Sequence, residues 1–189
     1  MSILYKVTDK SGKTKNDTQW GEGVSHTAIG ESQELCTNGF IHAYEHPLIA
    51  AFMHPAHTSF KNPILWEAEG EIVIKDGQLK CGVKTLTTLK KIPLPEITLE
   101  QRIAIAIHCA LTLPQSEGYK VWAEKWLSGE DRSRDAAADA ASYAAARAAY
   151  AYAASAAAAR AASYADAAAD ASVGNGFNLL GIIEKVVKS

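Results

Sequence analysis

Cysteine is scarce in this chain: Cys36, Cys81 and Cys109 are the whole supply in 189 residues, and no two form a C-x-x-C pair. An odd, widely spaced set supports neither a disulfide framework nor a zinc ribbon and points to a reducing compartment. Neither sign of charge dominates, with 19 Lys+Arg against 21 Asp+Glu, which argues against a nucleic-acid or an anionic-membrane partner. The opening "MSILYKVTDKSGK" has no long apolar stretch and no small-residue cleavage site, so it does not read as a signal peptide. Phosphate-loop, dinucleotide-fingerprint and nucleophile-elbow motifs are absent, as is H-E-x-x-H. The expectation is a soluble intracellular protein with no bound cofactor.

Glycine and proline are missing from one long tract, Asp135 to Ser172, in which 24 of 38 residues are alanine. Alanine has the highest helix propensity and little area to bury. A helix that long would extend about 57 Å. Asp135, Asp139, Tyr143, Arg147 and Tyr150 recur every three or four residues and would share one stripe. The bare alanine surface beside that stripe suits close helix-to-helix approach, with self-association into a homo-oligomer as its expected form. A solvated rod is the alternative. Asp, Arg or Ser interrupts the tract every few residues, so it is not a membrane span.

The rest of the chain predicts an α+β fold: a small N-terminal antiparallel sheet with covering helices, then the long Ala-rich helix and a short C-terminal helix. The expected division is a 1–130 α+β domain and a 131–189 segment holding the long helix and a C-terminal docking helix, "FNLLGIIEKVVKS". "ILYKVTD" reads as a strand. "LWEAEGEIVIKDGQLKCGVKTLTTL" reads as a hairpin turning at Asp76-Gly77, with Ile74 opposite Leu79, Ile72 opposite Cys81 and Glu69 opposite Lys84. "EHPLIAAFMHP" predicts a short helix opened by Pro47 and ended by Pro55. Thr98 and Gln101 have capping-box spacing ahead of "RIAIAIHCAL". "EGYKVWAEKWLSG" predicts a helix with Trp122 and Trp126 stacked four apart, stopped at Gly129.

Several residues carry chemistry. His42, His46, His54 and His57 crowd into sixteen positions, with spacings a metal could use, but Pro47 and Pro55 interrupt the helices such a site needs; ordinary histidines are the preferred reading. In "NDTQWGEGVSH", Trp20 beside glycines and His26 suits a stacking platform for a base, or else a side chain closing over the core. In "GFIHAYEHP", His42 and Tyr44 fall at a strand end next to a helix N-terminus, where anions bind. Arg132 and Arg134 form a phosphate-suited fork, or a solvated helix start.

The segment "GFIHAYEHPLIAAFM" is similar to the strand-helix element of ADP-ribosyltransferase folds, whose cleft holds a nicotinamide dinucleotide. That resemblance implies a catalytic glutamate, for which Glu67, Glu69 and Glu71 are candidates by position. A broader likeness rests on "YKVTD", "NDTQWGEGV-H", "LC--GFIHAYEHPLIA", "P--LWEAEGE", "KTLTTL", "ITLEQRIAIAIHCA" and "WAEKWLSGEDR". On these the chain resembles a group of tailed-phage accessory proteins with alanine-rich tails. The resemblance implies action in the host cytoplasm and an anti-defence role: a non-enzymatic sponge for a nucleotide immune signal, such as a cyclic or NAD-derived ADP-ribose species. Trp20, His26, His42, Tyr44, His46, Arg132, Arg134, Tyr143 and Arg147 are its expected ligand-binding residues. The alternatives are an ADP-ribosyltransferase-like or signal-hydrolysing enzyme with His42 or His46 as general base, and a protein-binding inhibitor or structural phage component.

Overall fold

The computed structural model describes residues 1–58, 60–113, 115–133 and 178–189. The long alanine tract, with Arg134, Tyr143 and Arg147, lies outside the described residues. In chain order the strands are β1 (Ser2–Thr8), β2 (Ser25–Thr27), β3 (Ile41–Ala43), β4 (Ile64–Asp76) and β5 (Lys80–Ile92), and the helices are α1 (Pro47–His57), α2 (Leu99–Leu111), α3 (Glu117–Ser128) and α4 (Leu179–Lys188). The expected α+β class with an antiparallel sheet is what these elements form. By contact, Met1–Arg102 and Asn178–Ser189 make one compact unit. A second begins at Ile103 and is described as far as Ser133.

In the first unit, β1 pairs with β4 and β4 with β5, and the outer edge of β5 takes β3 along Cys81–Val83 and β2 along Thr85–Thr87, all antiparallel. Tyr44, the residue after β3, then pairs with Tyr5 of β1 through both backbone bonds, at 2.8 and 2.9 Å. Pairing thus returns to its first strand, and the sheet curls into a small ring. Its inner side is apolar: Leu4, Trp20, Ala43, Ala68, Cys81, Val83 and Leu86 are buried together, with Ile41 and Ile72 packed against them. Register irregularities near Glu67/Ala68, Gly70/Ile72 and Ile72/Ile74 bend β4. A Cβ on Gly70 would lie 2.8 Å from the Thr85 carbonyl oxygen, so glycine permits the close approach there.

The hairpin forms where expected but in a different register. Gly77 adopts φ +51, the loop runs over residues 77–79, and Leu79 N–H donates to Asp76 O at 2.9 Å. Pairing resumes at Asp76 and Lys80, so Ile74 faces Gly82, Ile72 faces Val83 and Glu69 faces Thr87. The turn centres one and a half residues later than predicted, and the core decides it: this register sets Gly70 opposite Leu86, giving the buried leucine room, and places Glu67 3.3 Å from Lys90.

Helix α1 starts as predicted, with Pro47 at its first position and the His46 ring accepting the Leu48 N–H. It does not stop at Pro55 but continues to His57. Proline has no N–H to give the Ala51 carbonyl four residues back. Arg102 supplies the replacement: its two terminal nitrogens donate to Ala51 O and Phe52 O, each at 2.8 Å. The fork of one guanidinium thereby does what the helix ladder cannot. Arg102 itself follows a formed capping box, Thr98 N–H to Gln101 Oε1 at 3.0 Å and Gln101 N–H to Thr98 Oγ1 at 3.2 Å.

α1 packs on β1, and α4 packs on α1. Leu179, Ile183 and Val186 form the buried stripe of α4 at helical spacing. The Leu179 N–H donates to Gln78 Oε1 at 2.7 Å, which ties the start of α4 to the hairpin loop. In the second unit, Ile107, Tyr119, Ala123 and Trp126 form the core between α2 and α3. α3 stops at Gly129 (φ +81) as expected; the Trp122 ring lies 5.4 Å from that of Tyr119.

Replacing Arg102 by alanine is expected to destabilise the fold by about 1–3 kcal/mol, because the Ala51 carbonyl loses the donor that replaces the missing proline N–H and the Phe52 carbonyl loses a charged one. Lysine at 102 should recover only part, and a Pro55→Ala background, which restores the helix N–H to Ala51, should shrink the loss. Urea unfolding of the four combinations checks this; purely additive effects would refute the coupling.

Candidate functional site

On β1, alternation turns Leu4, Lys6 and Thr8 to one face, paired with Ala68, Trp66 and Ile64 of β4. Leu4 is wholly buried on that face. Lys6 therefore carries its ammonium toward the inner side of the ring. Its Nζ donates to the His42 carbonyl at 2.6 Å and lies 5.3 Å from the centre of the Trp20 ring. Burial pushes the Lys6 ammonium down to about 8, and the nearby Cys81 sulfur offsets only part of this. Cys81 is no counter-ion at neutral pH: its thiol bonds to Ala43 O at 3.5 Å, and burial first, then Glu45, pushes it up to about 11. Among the described residues, no carboxylate forms an ion pair with Lys6.

Trp20 closes this site from below and is not an exposed platform. It is 3% exposed, and its indole N–H donates to Thr14 Oγ1 at 2.9 Å. The loop before it is pinned for that purpose. Asp9 Oδ1 accepts from the Ser11 and Lys13 N–H groups, each at 2.8 Å, bonds that hold the Asp9 carboxyl below its usual value, the one from Lys13 most of all. Gly12, at φ +83, lets the chain pass so closely that its N–H bonds Asp9 O and its carbonyl accepts the Trp20 N–H. Of the two readings the sequence left open for Trp20, a platform for a base and a side chain closing over the core, its burial matches the second.

The other expected residues divide between structural duty and proximity. His26 stands edge-on to Trp20 at 4.6 Å and bonds the Gln19 carbonyl at 2.7 Å. Tyr44 is buried, closes the ring through its backbone, and has its phenol pushed up to about 12 by desolvation. Arg132, in the second unit, donates to Trp126 O at 3.0 Å and lies 4.8 Å over the Trp126 ring, finishing α3. The histidine ring nitrogens are largely engaged by main chain. His42 Nε2 accepts the Cys36 N–H at 3.0 Å, His46 Nδ1 the Leu48 N–H at 3.2 Å, and His54 Nε2 the Phe60 N–H at 3.0 Å. A nitrogen lone pair committed in this way does not serve as a general base or a metal ligand. Burial first, and then the Arg102 charge, push the His54 imidazole below its usual value.

Of the glutamates, Glu67 and Glu69 are paired with Tyr5 and Ile3 and so occupy the face opposite Lys6, while Glu71 is exposed. The structure thus brings Trp20 and the His42 main chain to Lys6, a residue not singled out in the sequence, with His26 on the Trp20 ring. Lys6 was findable: strand parity alone sets it two places from Leu4 on the inward face.

Because the folded chain disfavours the charged form of Lys6, its burial costs stability at neutral pH, and the cost fades as pH rises from about 8 toward 10.5. Lys6→Met should therefore gain stability relative to the native chain at pH 7, by at most about 3 kcal/mol. The gap should narrow steadily above pH 8 in chemical denaturation. A constant gap from pH 6 to 10 would show that the Lys6 charge is not the cause.

No curated protein and no solved structure matches the chain. The profile of a family described as a domain of unknown function (DUF7666) matches residues 2–100. That span is just over half of the 189 residues and takes in every strand of the ring and α1, and the chain belongs to this family.

Proposed function

We propose that the protein binds an anionic, nucleotide-type small molecule and sequesters it without cleaving it, with Lys6 as the charged anchor. The observation that carries this reading is the Lys6 ammonium itself, drawn among Trp20, Cys81 and the His42 carbonyl with no carboxylate partner among the described residues. A phosphate reaching Nζ would supply the missing charge and return the lysine to its fully protonated form. The engaged lone pairs of His42 and His46 weigh against the hydrolase alternative, which needs one of them as a base.

The resemblance to tailed-phage accessory proteins supplies the setting. In that setting the ligand is a host immune signal, a cyclic or NAD-derived ADP-ribose species, held in the host cytoplasm. The alanine-rich tract that carries Tyr143 and Arg147 is the segment we assign to self-association into a homo-oligomer. Arg134 immediately precedes that tract.

Calorimetric titration with ADP-ribose and cyclic ADP-ribose tests the reading, followed by heat release and chromatography of the ligand. The expected result is saturable binding, recovery of intact ligand, and at least a tenfold loss (about 1.4 kcal/mol) in Lys6→Met with an unchanged circular dichroism spectrum. A cleaved product would favour the enzyme alternative. Absence of binding by either compound, or unaltered binding in the variant, overturns the proposal.

A further inference from the structure

The outer side of the ring carries a second arrangement, independent of Lys6. Between β2 and β3 the chain passes over β5, where the Leu35 methyl and Phe40 leave no room for a side chain at Gly82: a Cβ there would lie 2.7 Å from Leu35 Cδ2 and 3.1 Å from Phe40 Cβ. Cys36 sits in this loop in left-handed backbone, φ +67, with its N–H held by His42 Nε2 at 3.0 Å. Of the three cysteines it alone is exposed. Its Sγ faces Lys80 Nζ at 2.9 Å, a close approach for nitrogen and sulfur. The Lys80 side chain is only 12% exposed and is steadied from its other side by Asp76 at 3.7 Å. An accessible sulfur and a largely buried amine are therefore held in contact across 44 residues of sequence.

We propose that Cys36 and Lys80 form an oxidation-dependent sulfur–nitrogen cross-link that fastens the β2–β3 loop to the hairpin. The oxidant is hydrogen peroxide. The Cys36 thiolate attacks one peroxide oxygen, the S–O bond forms as the O–O bond breaks, and water leaves once the departing oxygen is protonated, giving the sulfenic acid. Lys80, having released its extra proton to solvent, attacks the sulfur; the S–N bond forms, the S–O bond breaks, and the hydroxyl leaves as water with a proton from nitrogen. In sum, thiol, amine and one peroxide give the sulfenamide and two waters. Sulfenic acids condense in this way with a neighbouring nitrogen, and thiols reverse the product. Contact between the two atoms replaces a bimolecular encounter, which is what favours Lys80 over a solution thiol. Cys81 does not compete, because it is buried with its thiol pushed up to about 11.

Treating the full-length chain with equimolar hydrogen peroxide, then digesting it for mass spectrometry, tests the proposal. The expected product is a Cys36 peptide joined to a Lys80 peptide, lighter by two hydrogens than their sum. It should disappear on dithiothreitol treatment, be absent in Cys36→Ser and Lys80→Arg, and persist in Cys81→Ser. Lys80→Arg leaves the sulfenic acid without its captor, so dimedone labelling of Cys36 should rise in that variant, a change that a merely structural role for Lys80 would not produce. Cys36 stopping at the sulfenic or sulfinic acid with Lys80 free, or a link that retains oxygen, overturns the proposal.

Discussion

The first unit depends on one pair of backbone hydrogen bonds, those between Tyr5 and Tyr44. Without them β3 would be a three-residue appendage on the edge of β5, and β1 an open edge. With them the sheet has an inside, and Ala43, Cys81 and Val83 find Leu4 and Ala68 across it. The same closure sets the chain on course for α1, because Pro47 follows Tyr44 within one turn and lays the helix against β1. An inside so small tolerates little bulk, which is why glycine stands at 70, where the Thr85 carbonyl and the Val83 and Leu86 side chains crowd the missing Cβ.

A closed apolar interior makes Lys6 conspicuous. Desolvating an ammonium is costly unless an anion or a full set of acceptors compensates. Here one carbonyl and one indole face do so in part, and the lowered pKa records the remainder. Polar strain of this kind concentrates at functional positions more often than in structural cores. The binding role proposed for Lys6 rests on that imbalance. The histidines, by contrast, have the look of a site in sequence and the duties of caps and loop staples in space.

Much of the local structure was legible because its causes are local. The capping box at Thr98 and Gln101, the proline start of α1, the glycine stop of α3 and the hairpin around Gly77 each need only a few neighbouring residues. Where a distant partner intervenes, legibility ends. Pro55 fails to stop α1 because Arg102, 47 positions away, takes the carbonyl that proline abandons. The hairpin register slips because Leu86 must face a glycine. For Trp20 the sequence left two readings open, and the closing ring, which buries it with Leu4 and Ala68, decides for the core.

The sequence by itself determined the α+β class and several helix ends: the start of α1, the capping box of α2 and the stop of α3. Periodicity and capping are properties of a few consecutive residues, so they survive without knowledge of the fold. Tertiary structure alone decided which residues meet: Lys6 with Trp20 and the His42 carbonyl inside the ring, Cys36 with Lys80 outside it. Those meetings are consequences of ring closure, where burial and hydrogen-bond demand are balanced over the whole unit and no single segment contains the answer.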